Sequence, residues 1–246
     1  MKLIQSQALA ALCAVWSFCA AAGNLILVGD STLAPRRPEQ RIGSWGDSMS
    51  DRLQDGWQIV NAAISGRTVK TIQDSTTNGW SKALGAMRPG DFVIVQFGIN
   101  DASPRKLVEI PAFKAELARM ADTIRAKGAT PVFCSPVTSG TYDKKTGRFQ
   151  RNESRIRYGT AVAEIAAEKK VDFVDMTELT SDVLAPLDRV RGQDLYVGDS
   201  VKKGEKVFDT IHPSKAGAKL FGEAFVRNVQ ERKLAVAAVF RPMEAR

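Results

Sequence analysis

Five short apolar runs, separated by longer stretches of helical periodicity, constrain the fold of this chain most strongly. The runs occupy residues 25–28, 58–62, 92–97, 131–134 and 171–174. They lack the regular alternation of a strand with one solvated face, which favours strands buried on both faces of a parallel sheet. Apolar residues recur at helical spacing in residues 111–126, 154–169 and 214–232. The alternation of strands with helices predicts an α/β fold, a three-layer αβα sandwich around a five-stranded parallel sheet.

The N-terminus has the pattern of a secretory signal peptide. Lys2 precedes an apolar stretch that is followed by small residues. We predict cleavage just before Gly23 or Asn24, which makes residues 1–22 the signal peptide and residues 23–246 one domain of a secreted or periplasmic protein. The alternative is an uncleaved anchor or a core segment. Because the stretch is short for a membrane span and no later run reaches the needed length, we expect no stable membrane insertion.

His212 is the only histidine in the 246 residues of the sequence. Histidine is the side chain best suited to take a proton from a serine hydroxyl near neutral pH, so any serine–histidine mechanism here must use it. Asp209 lies three residues earlier, and we predict that both residues lie in the loop before the last helix. There a single turn can aim the carboxylate at one imidazole nitrogen and leave the other free. The pair also fits a loop contact or half of a metal site, but zinc normally recruits several His or Cys ligands. We therefore predict no metal and no cofactor.

Ser31 is the predicted nucleophile because it closely follows the first apolar run. Functional sites of parallel α/β sheets gather at the carboxyl ends of the strands, and the tripeptide Gly-Asp-Ser at residues 29–31 lies at such an end. The same tripeptide recurs at residues 198–200, where no comparable apolar run precedes it. We interpret this second copy as a loop.

Two more polar segments follow apolar runs and offer hydrogen-bond donors. Gly66 comes after the second run and Asn100 after the third. An acyl-transfer site needs donors for the oxyanion that develops on the carbonyl oxygen, and the N–H groups of Ser31 and Gly66 with the amide of Asn100 are three candidates. Taken singly, Gly66 also fits a turn that needs a positive φ, and Asn100 also fits a helix cap or turn.

Ser31, Gly66, Asn100 and His212, in that order, resemble the four sequence blocks of the SGNH (GDSL-type) hydrolase family. The blocks lie within residues 25–217, which is nearly the whole of the predicted mature chain. The resemblance implies a flavodoxin-like fold and a serine-dependent hydrolase of carboxylic esters.

The resemblance also implies a role for each residue. It makes Ser31 the nucleophile, His212 the base and Asp209 the residue that orients the base. It assigns the oxyanion hole to Ser31, Gly66 and Asn100. These are the residues that the spacing of strand ends and polar groups had already singled out.

The wording of the blocks is most similar to the rhamnogalacturonan acetylesterase branch, which removes O-acetyl groups from pectic polysaccharide. The similarity lies in Gly-Asp-Ser-Thr at residues 29–32, Trp45 with the glycine after it, Gly66 with Arg67, and Phe-Gly-Ile-Asn-Asp at residues 97–101. One residue departs from the pattern: Ile99 stands where that branch often has histidine.

The formal net charge of +8 favours an anionic polymer as partner, such as galacturonate-containing pectin or a sialylated glycan. Several basic side chains could form a rim around the predicted site or be dispersed over the surface: Arg36, Arg37, Arg67, Lys202, Lys203 and Lys206. No nucleic-acid-binding motif is present, so we expect no nucleic-acid partner. We expect a monomer.

Two long polar segments, residues 139–152 and 186–207, are predicted to be loops that shape the substrate cleft. Trp45 is a candidate face for stacking against a sugar, although aromatic residues at this density also pack in cores. Arg67, beside Gly66, is a second candidate for substrate binding.

We expect an exported carbohydrate O-acetylesterase that acts on acetylated rhamnogalacturonan through an acyl-enzyme. The same chemistry also fits an O-acetylesterase of another glycan, such as xylan or a sialoglycan. A lipase or thioesterase on the same scaffold is a further alternative, and it predicts a more apolar cleft. The alternative from a different class is a glycan-binding protein that keeps the fold without turnover.

Overall fold

The computed structural model describes residues 22–74, 76, 78–202 and 205–244. At residues 201–202 and 205–206 it describes the backbone alone. Most of the predicted signal peptide therefore lies outside the described residues. The strands are β1 (Gly23–Gly29), β2 (Trp57–Asn61), β3 (Phe92–Gln96), β4 (Thr130–Cys134), β5 (Tyr142–Asp143), β6 (Arg148–Phe149), β7 (Asp172–Val174), β8 (Tyr196–Lys202) and β9 (Glu205–Pro213). The helices are α1 (Gly79–Ala86), α2 (Ile110–Ala126), α3 (Glu153–Lys169), α4 (Met176–Leu184), α5 (Arg189–Asp194) and α6 (Lys215–Glu231).

The central sheet is parallel, and its strand order is β2-β1-β3-β4-β7. Its five strands coincide with the five apolar runs, which confirms the predicted sheet. In β1, Leu25 and Leu27 pack into one core cluster, whereas Ile26 and Val28 pack into the other. Because successive side chains of a strand point to opposite faces, burial of both faces explains why the runs show no polar alternation.

Helices cover both faces of the sheet. The core cluster on one face contains side chains of α1, α2 and α3, and the cluster on the other face contains side chains of α4 and α6. This arrangement confirms the three-layer αβα sandwich with the flavodoxin-like strand order. The three predicted helices are α2, α3 and α6, and Ser214 caps α6 by accepting a hydrogen bond from the Gly217 N–H. Within the described residues, no helix is both long enough and apolar enough to cross a membrane.

The two segments predicted as long loops contain regular structure, so that prediction was wrong. Residues 139–152 include the short antiparallel pair of β5 and β6, and residues 186–207 include α5, β8 and the start of β9. The second Gly-Asp-Ser, which was predicted to be a loop, lies within β8, and Asp209 and His212 lie in β9 rather than in a loop. The β8–β9 hairpin forms through backbone pairing between polar strands, so it leaves no apolar run in the sequence.

Candidate active site

Ser31 lies at the carboxyl end of β1, two residues after the last residue of the strand. It is nearly buried, with 8% of its surface exposed. The chain is tightly packed just before it, because a β-carbon at Gly29 would come within 2.7 Å of both the Gln96 carbonyl oxygen and a Leu33 methyl carbon. Glycine is therefore required where the strand leaves the sheet, and this packing determines where Ser31 emerges.

A chain of hydrogen bonds connects Ser31 to Asp209 through His212. The Ser31 Oγ lies 2.8 Å from His212 Nε2, and His212 Nδ1 lies 2.8 Å from Asp209 Oδ2. The other Asp209 oxygen accepts the backbone N–H groups of Ile211 at 2.9 Å and His212 at 3.0 Å. The structure thus brings together the three predicted residues, which lie 181 residues apart along the chain at their widest.

Asp209 is held as a carboxylate. Partial burial raises the pKa of this carboxyl, but the hydrogen bonds from the His212 side chain and backbone and from the Ile211 N–H outweigh that effect and keep its pKa well below the ordinary value. An ionised Asp209 accepts a hydrogen bond from the N–H at Nδ1 of His212. The other imidazole nitrogen is then free to accept a hydrogen bond from the serine hydroxyl.

Gly66 and Asn100 follow the two strands that flank β1. Gly66 has φ +77°, a conformation that favours glycine, and its carbonyl accepts a hydrogen bond of 2.6 Å from Lys106 Nζ. The Asn100 amide donates 3.1 Å to the Arg67 carbonyl, which connects the two loops. An amide has two N–H donors, so Asn100 keeps a second one for another acceptor.

Asp101 connects the same two loops through hydrogen bonds to its buried carboxyl, a role that was not predicted. Its fully buried carboxyl accepts the Val69 N–H at 2.8 Å and the Gly98 N–H at 3.0 Å. Burial raises the pKa of Asp101 to about 7, against the opposing effect of these two hydrogen bonds. The carboxyl thereby fixes the position of the loop after β2 relative to the loop after β3.

Trp45 does not offer a face for sugar stacking, so this prediction was wrong. The side chain is fully buried, and its indole N–H donates 3.2 Å to Gln96 Oε1. Gln96 in turn donates 3.2 Å to Asp30 Oδ2, and Thr32 donates its backbone N–H to the other Asp30 oxygen. Trp45 therefore belongs to a buried network that supports the segment carrying Ser31.

Of the predicted basic rim, two arginines lie against the site. Arg36 is half-buried and donates through Nη2 to the Ser31 carbonyl, while its Nε is buried without a hydrogen-bond partner. The Nε of Arg67 is likewise buried without one. Arg37 is exposed and forms a surface ion pair with Glu39. The lysine part of the rim is not described: Lys203 and the side chains of Lys202 and Lys206 lie outside the described atoms.

The described residues contain no group of three or more histidine, cysteine, aspartate or glutamate side chains that could hold a metal ion. Cys134, the one cysteine within that part of the chain, is buried in β4, and burial raises the pKa of its thiol. It is therefore kept as a neutral thiol inside the sheet.

Comparison with known proteins places the chain beside ester hydrolases. The model of the GDSL-like lipase/acylhydrolase family matches residues 27–220. A probable rhamnogalacturonan acetylesterase of Bacillus subtilis, YesY, is 28% identical over 85% of this chain and 94% of its own length. The rhamnogalacturonan acetylesterase RhgT of the same organism is 26% identical over 85% of this chain and 90% of its own length. The crystal structure of YxiM, also from Bacillus subtilis, has the same fold, with a TM-score of 0.72 at 23% identity over 87% of this chain and 58% of that one.

Proposed function

This chain belongs to the GDSL-like lipase/acylhydrolase family and is a carboxylic ester hydrolase, and we propose that it removes O-acetyl groups from a carbohydrate, with acetylated rhamnogalacturonan as the first candidate. The observation that carries the proposal is the hydrogen-bonded chain from Ser31 through His212 to Asp209. The two relatives named above support the choice of an acetylated pectic polymer.

In the proposed first half-reaction, the Ser31 oxygen attacks the acetyl carbonyl carbon while His212 Nε2 takes the hydroxyl proton. Asp209 stabilises the imidazolium that forms. Hydrogen bonds from the N–H groups of Ser31 and Gly66 and from the free N–H of the Asn100 amide stabilise the negative charge on the carbonyl oxygen. Each such donor is worth about 3 to 4 kcal/mol in the transition state.

The first half-reaction ends as the tetrahedral intermediate collapses: the bond to the sugar oxygen breaks, and the imidazolium of His212 gives its proton to that oxygen. In the proposed second half-reaction, water attacks the acetyl group on Ser31 and passes one proton to His212, which returns it to the serine oxygen. Acetic acid leaves with the other water proton and ionises to acetate. The proton transfers to and from the serine oxygen all pass through Nε2 of one histidine.

A carbohydrate suits the surroundings of this site better than a long acyl chain. The cavity lined by Thr210 and Ile211, the two residues before His212, has serine or threonine at half of its lining positions, including Ser139 and Thr141. Such a surface hydrogen-bonds to sugar hydroxyls, whereas a lipase or thioesterase needs an apolar channel for its acyl chain. The proposal includes export, on the strength of the signal-peptide pattern in residues 1–22.

Acetate release from defined polymers tests this function. The chain without residues 1–22 and its Ser31→Ala variant are incubated in parallel with acetylated rhamnogalacturonan, acetylated xylan and O-acetylated sialoglycan. We expect release mainly from the pectic polymer, and none by the variant. Preference for another glycan would keep the mechanism and change the substrate. No release from any of them, combined with hydrolysis of long-chain esters, would favour the lipase, and binding without turnover would favour the glycan-binding protein.

A further inference from the structure

A polar cavity of about 280 Å³ adjoins the candidate active site. Two of its lining residues, Thr210 and Ile211, lie between Asp209 and His212 in β9. A third, Ile99, directly precedes Asn100. The cavity is therefore lined by direct chain neighbours of the proposed base and of a proposed oxyanion-hole residue, and not by those residues themselves. Its volume is close to the lower end of the range for small-molecule sites, roughly 300 to 1,000 Å³.

The lining of this cavity combines hydroxyl groups with one cation. Five serine and threonine residues and Asn152 contribute to it, and the Thr141 and Thr210 hydroxyls form a hydrogen bond of 3.3 Å with each other. Arg155 is the one charged residue among the described residues that line it, and no aspartate or glutamate is among them. A hydroxyl-lined cavity with a single guanidinium has the chemistry of a site for an acidic sugar.

Arg155 is buried without a carboxylate partner. It lies near the start of α3, and 4% of its surface is exposed. Its Nη1 donates to the Val137 carbonyl, and within the described part of the chain no carboxylate oxygen lies within 4.0 Å of its guanidinium. Burial lowers the pKa of the guanidinium, and the charge of Asp30 offsets this only in part. A cation held in this way is unfavourable in the free protein and favourable once a carboxylate reaches it.

We propose that this cavity holds a uronic acid of the acetylated glycan and that Arg155 binds the carboxylate of that sugar. The inference rests on the proposed function and names the substrate class at that site. The planar guanidinium forms paired hydrogen bonds with a carboxylate, and the serine and threonine hydroxyls bind the hydroxyl groups of the same ring. The enzyme then selects acetyl groups on glycans that place an acidic sugar in this cavity.

The first test needs no variant. The same acetylated, galacturonate-containing oligosaccharide is supplied in three forms: with free carboxylates, with methyl-esterified carboxylates, and with the carboxylates reduced to primary alcohols. We expect kcat/KM to fall by roughly 10- to 100-fold in both neutral forms, since a hydrogen bond between charged groups is being lost. The reduced form is the steric control, because it removes the charge without adding bulk.

The second test compares two arginines of α3. Arg155→Gln removes the charge inside the cavity, whereas Arg157→Gln removes an equal charge from an exposed position on the same helix. Arg155→Gln should raise KM for the charged oligosaccharide by the same roughly 10- to 100-fold and abolish the preference for the charged form, while kcat/KM for the reduced oligosaccharide changes far less. Arg157→Gln should change none of these values.

Three outcomes would overturn this inference. One is equal kcat/KM for charged and reduced oligosaccharides in the unaltered protein, a result that holds even when Arg155→Gln does not fold. Another is an Arg155→Gln protein that loses kcat/KM for the reduced oligosaccharide in proportion, which would assign Arg155 a structural role. A third is an equal effect of Arg157→Gln, which would indicate general surface charge. Failure of the proposed function is distinct, because the unaltered protein would then release acetate from none of the acetylated glycans, charged or neutral.

Discussion

The tripeptide Gly-Asp-Ser occurs at residues 29–31 and again at residues 198–200, and the two copies have opposite surroundings. The first follows a strand whose last five residues are buried, Asp30 is buried, and Ser31 contacts His212 at 2.8 Å. The second lies inside a two-stranded hairpin, where Asp199 is exposed and the Ser200 hydroxyl lies 3.4 Å from the Val207 carbonyl. Identical residues thus take part in the proposed catalytic arrangement at one place and in ordinary strand structure at the other.

The difference arises from what surrounds each copy rather than from the tripeptide. The first copy lies at the carboxyl edge of the sheet, where the ends of neighbouring strands bring Gly66 and Asn100 to the same side. The second copy pairs along β9, and Gly198 is the partner of Asp209 in that pairing. The second copy therefore helps to hold the strand that carries Asp209 and His212, while the first supplies the serine.

The largest expected effect separates the two serines. Ser31→Ala should lower kcat for an aryl acetate by roughly 10⁴-fold or more, because oxyanion stabilisation and binding are all that remain. Ser200→Ala should leave kcat unchanged, since its hydroxyl makes only a long hydrogen bond within the hairpin. Steady-state kinetics of both variants, with circular dichroism to confirm folding, measure this difference. Equal losses would remove Ser31 from the mechanism.

The next effect separates two aspartates of the same hairpin. In Asp209→Asn an amide N–H would face His212 Nδ1, so that nitrogen would have to be unprotonated and Nε2 would carry the proton toward Ser31. This tautomer cannot take the serine proton, so we expect kcat to fall by ~10³- to 10⁴-fold. Asp199→Asn is the matched control and should leave kcat unchanged. An unchanged kcat in Asp209→Asn would show that another group orients His212.

The contrast between the copies also explains which structural features could be predicted from the sequence. The inner strands β1, β3 and β4 of the central sheet are largely buried, so each leaves a run of apolar residues. The polar residues that follow β1, β2 and β3 could be grouped at one edge. The β8–β9 hairpin leaves no such run, because backbone pairing holds it. Consequently the second Gly-Asp-Ser and the segment from Asp209 to His212 were both predicted as loops.

The remaining features of the site depend on tertiary packing that spacing does not report. Trp45 was predicted at the surface, but its indole N–H has a buried acceptor in Gln96, which comes from a different strand. In the sequence, Asp101 fits a helix cap or a turn. Its hydrogen bonds to the loops after β2 and β3 form only because those two loops pack together. Arg155 is one of many arginines in the sequence, and only the packing of α3 against the chain after β4 buries it.

The third prediction compares the glycines of the two copies. A β-carbon at Gly29 would collide with a backbone carbonyl and a buried methyl group, so Gly29→Ala should destabilise the fold by about 1 to 3 kcal/mol. Gly198 has φ +70°, but the atoms nearest to an added β-carbon would lie 3.6 Å away, at an ordinary van der Waals distance. Gly198→Ala should therefore cost only about 1 kcal/mol of stability. Urea unfolding measures both. Gly29→Ala should in addition lower kcat, because any shift at the end of β1 moves Ser31.

The smallest effect concerns the two aspartates of the repeated tripeptide. Burial raises the pKa of Asp30 above its ordinary value of 3.8, against the hydrogen bonds from Thr32. A carboxyl whose pKa is higher in the folded state stabilises the fold fully below the unfolded value, and that contribution is lost as the pH rises through the folded value. The free energy of unfolding should therefore fall with rising pH in the unaltered protein, and fall less in Asp30→Asn.

Urea unfolding from about pH 4 to about pH 8 checks this slope. The stability advantage of the unaltered protein over Asp30→Asn should shrink as the pH rises. Asp199→Asn removes the same formal charge from the exposed copy, so its curve corrects for the change in net charge. Asp101, whose pKa burial raises to about 7, contributes a slope of the same sign. The charge of Asp30 adds to that rise, so Asp30→Asn also lowers the pKa of Asp101 and reduces the slope further in the same direction. A stability advantage that grows with pH would instead mean that the hydrogen bonds from Thr32 and Gln96 hold Asp30 as the carboxylate, and that burial is the weaker effect.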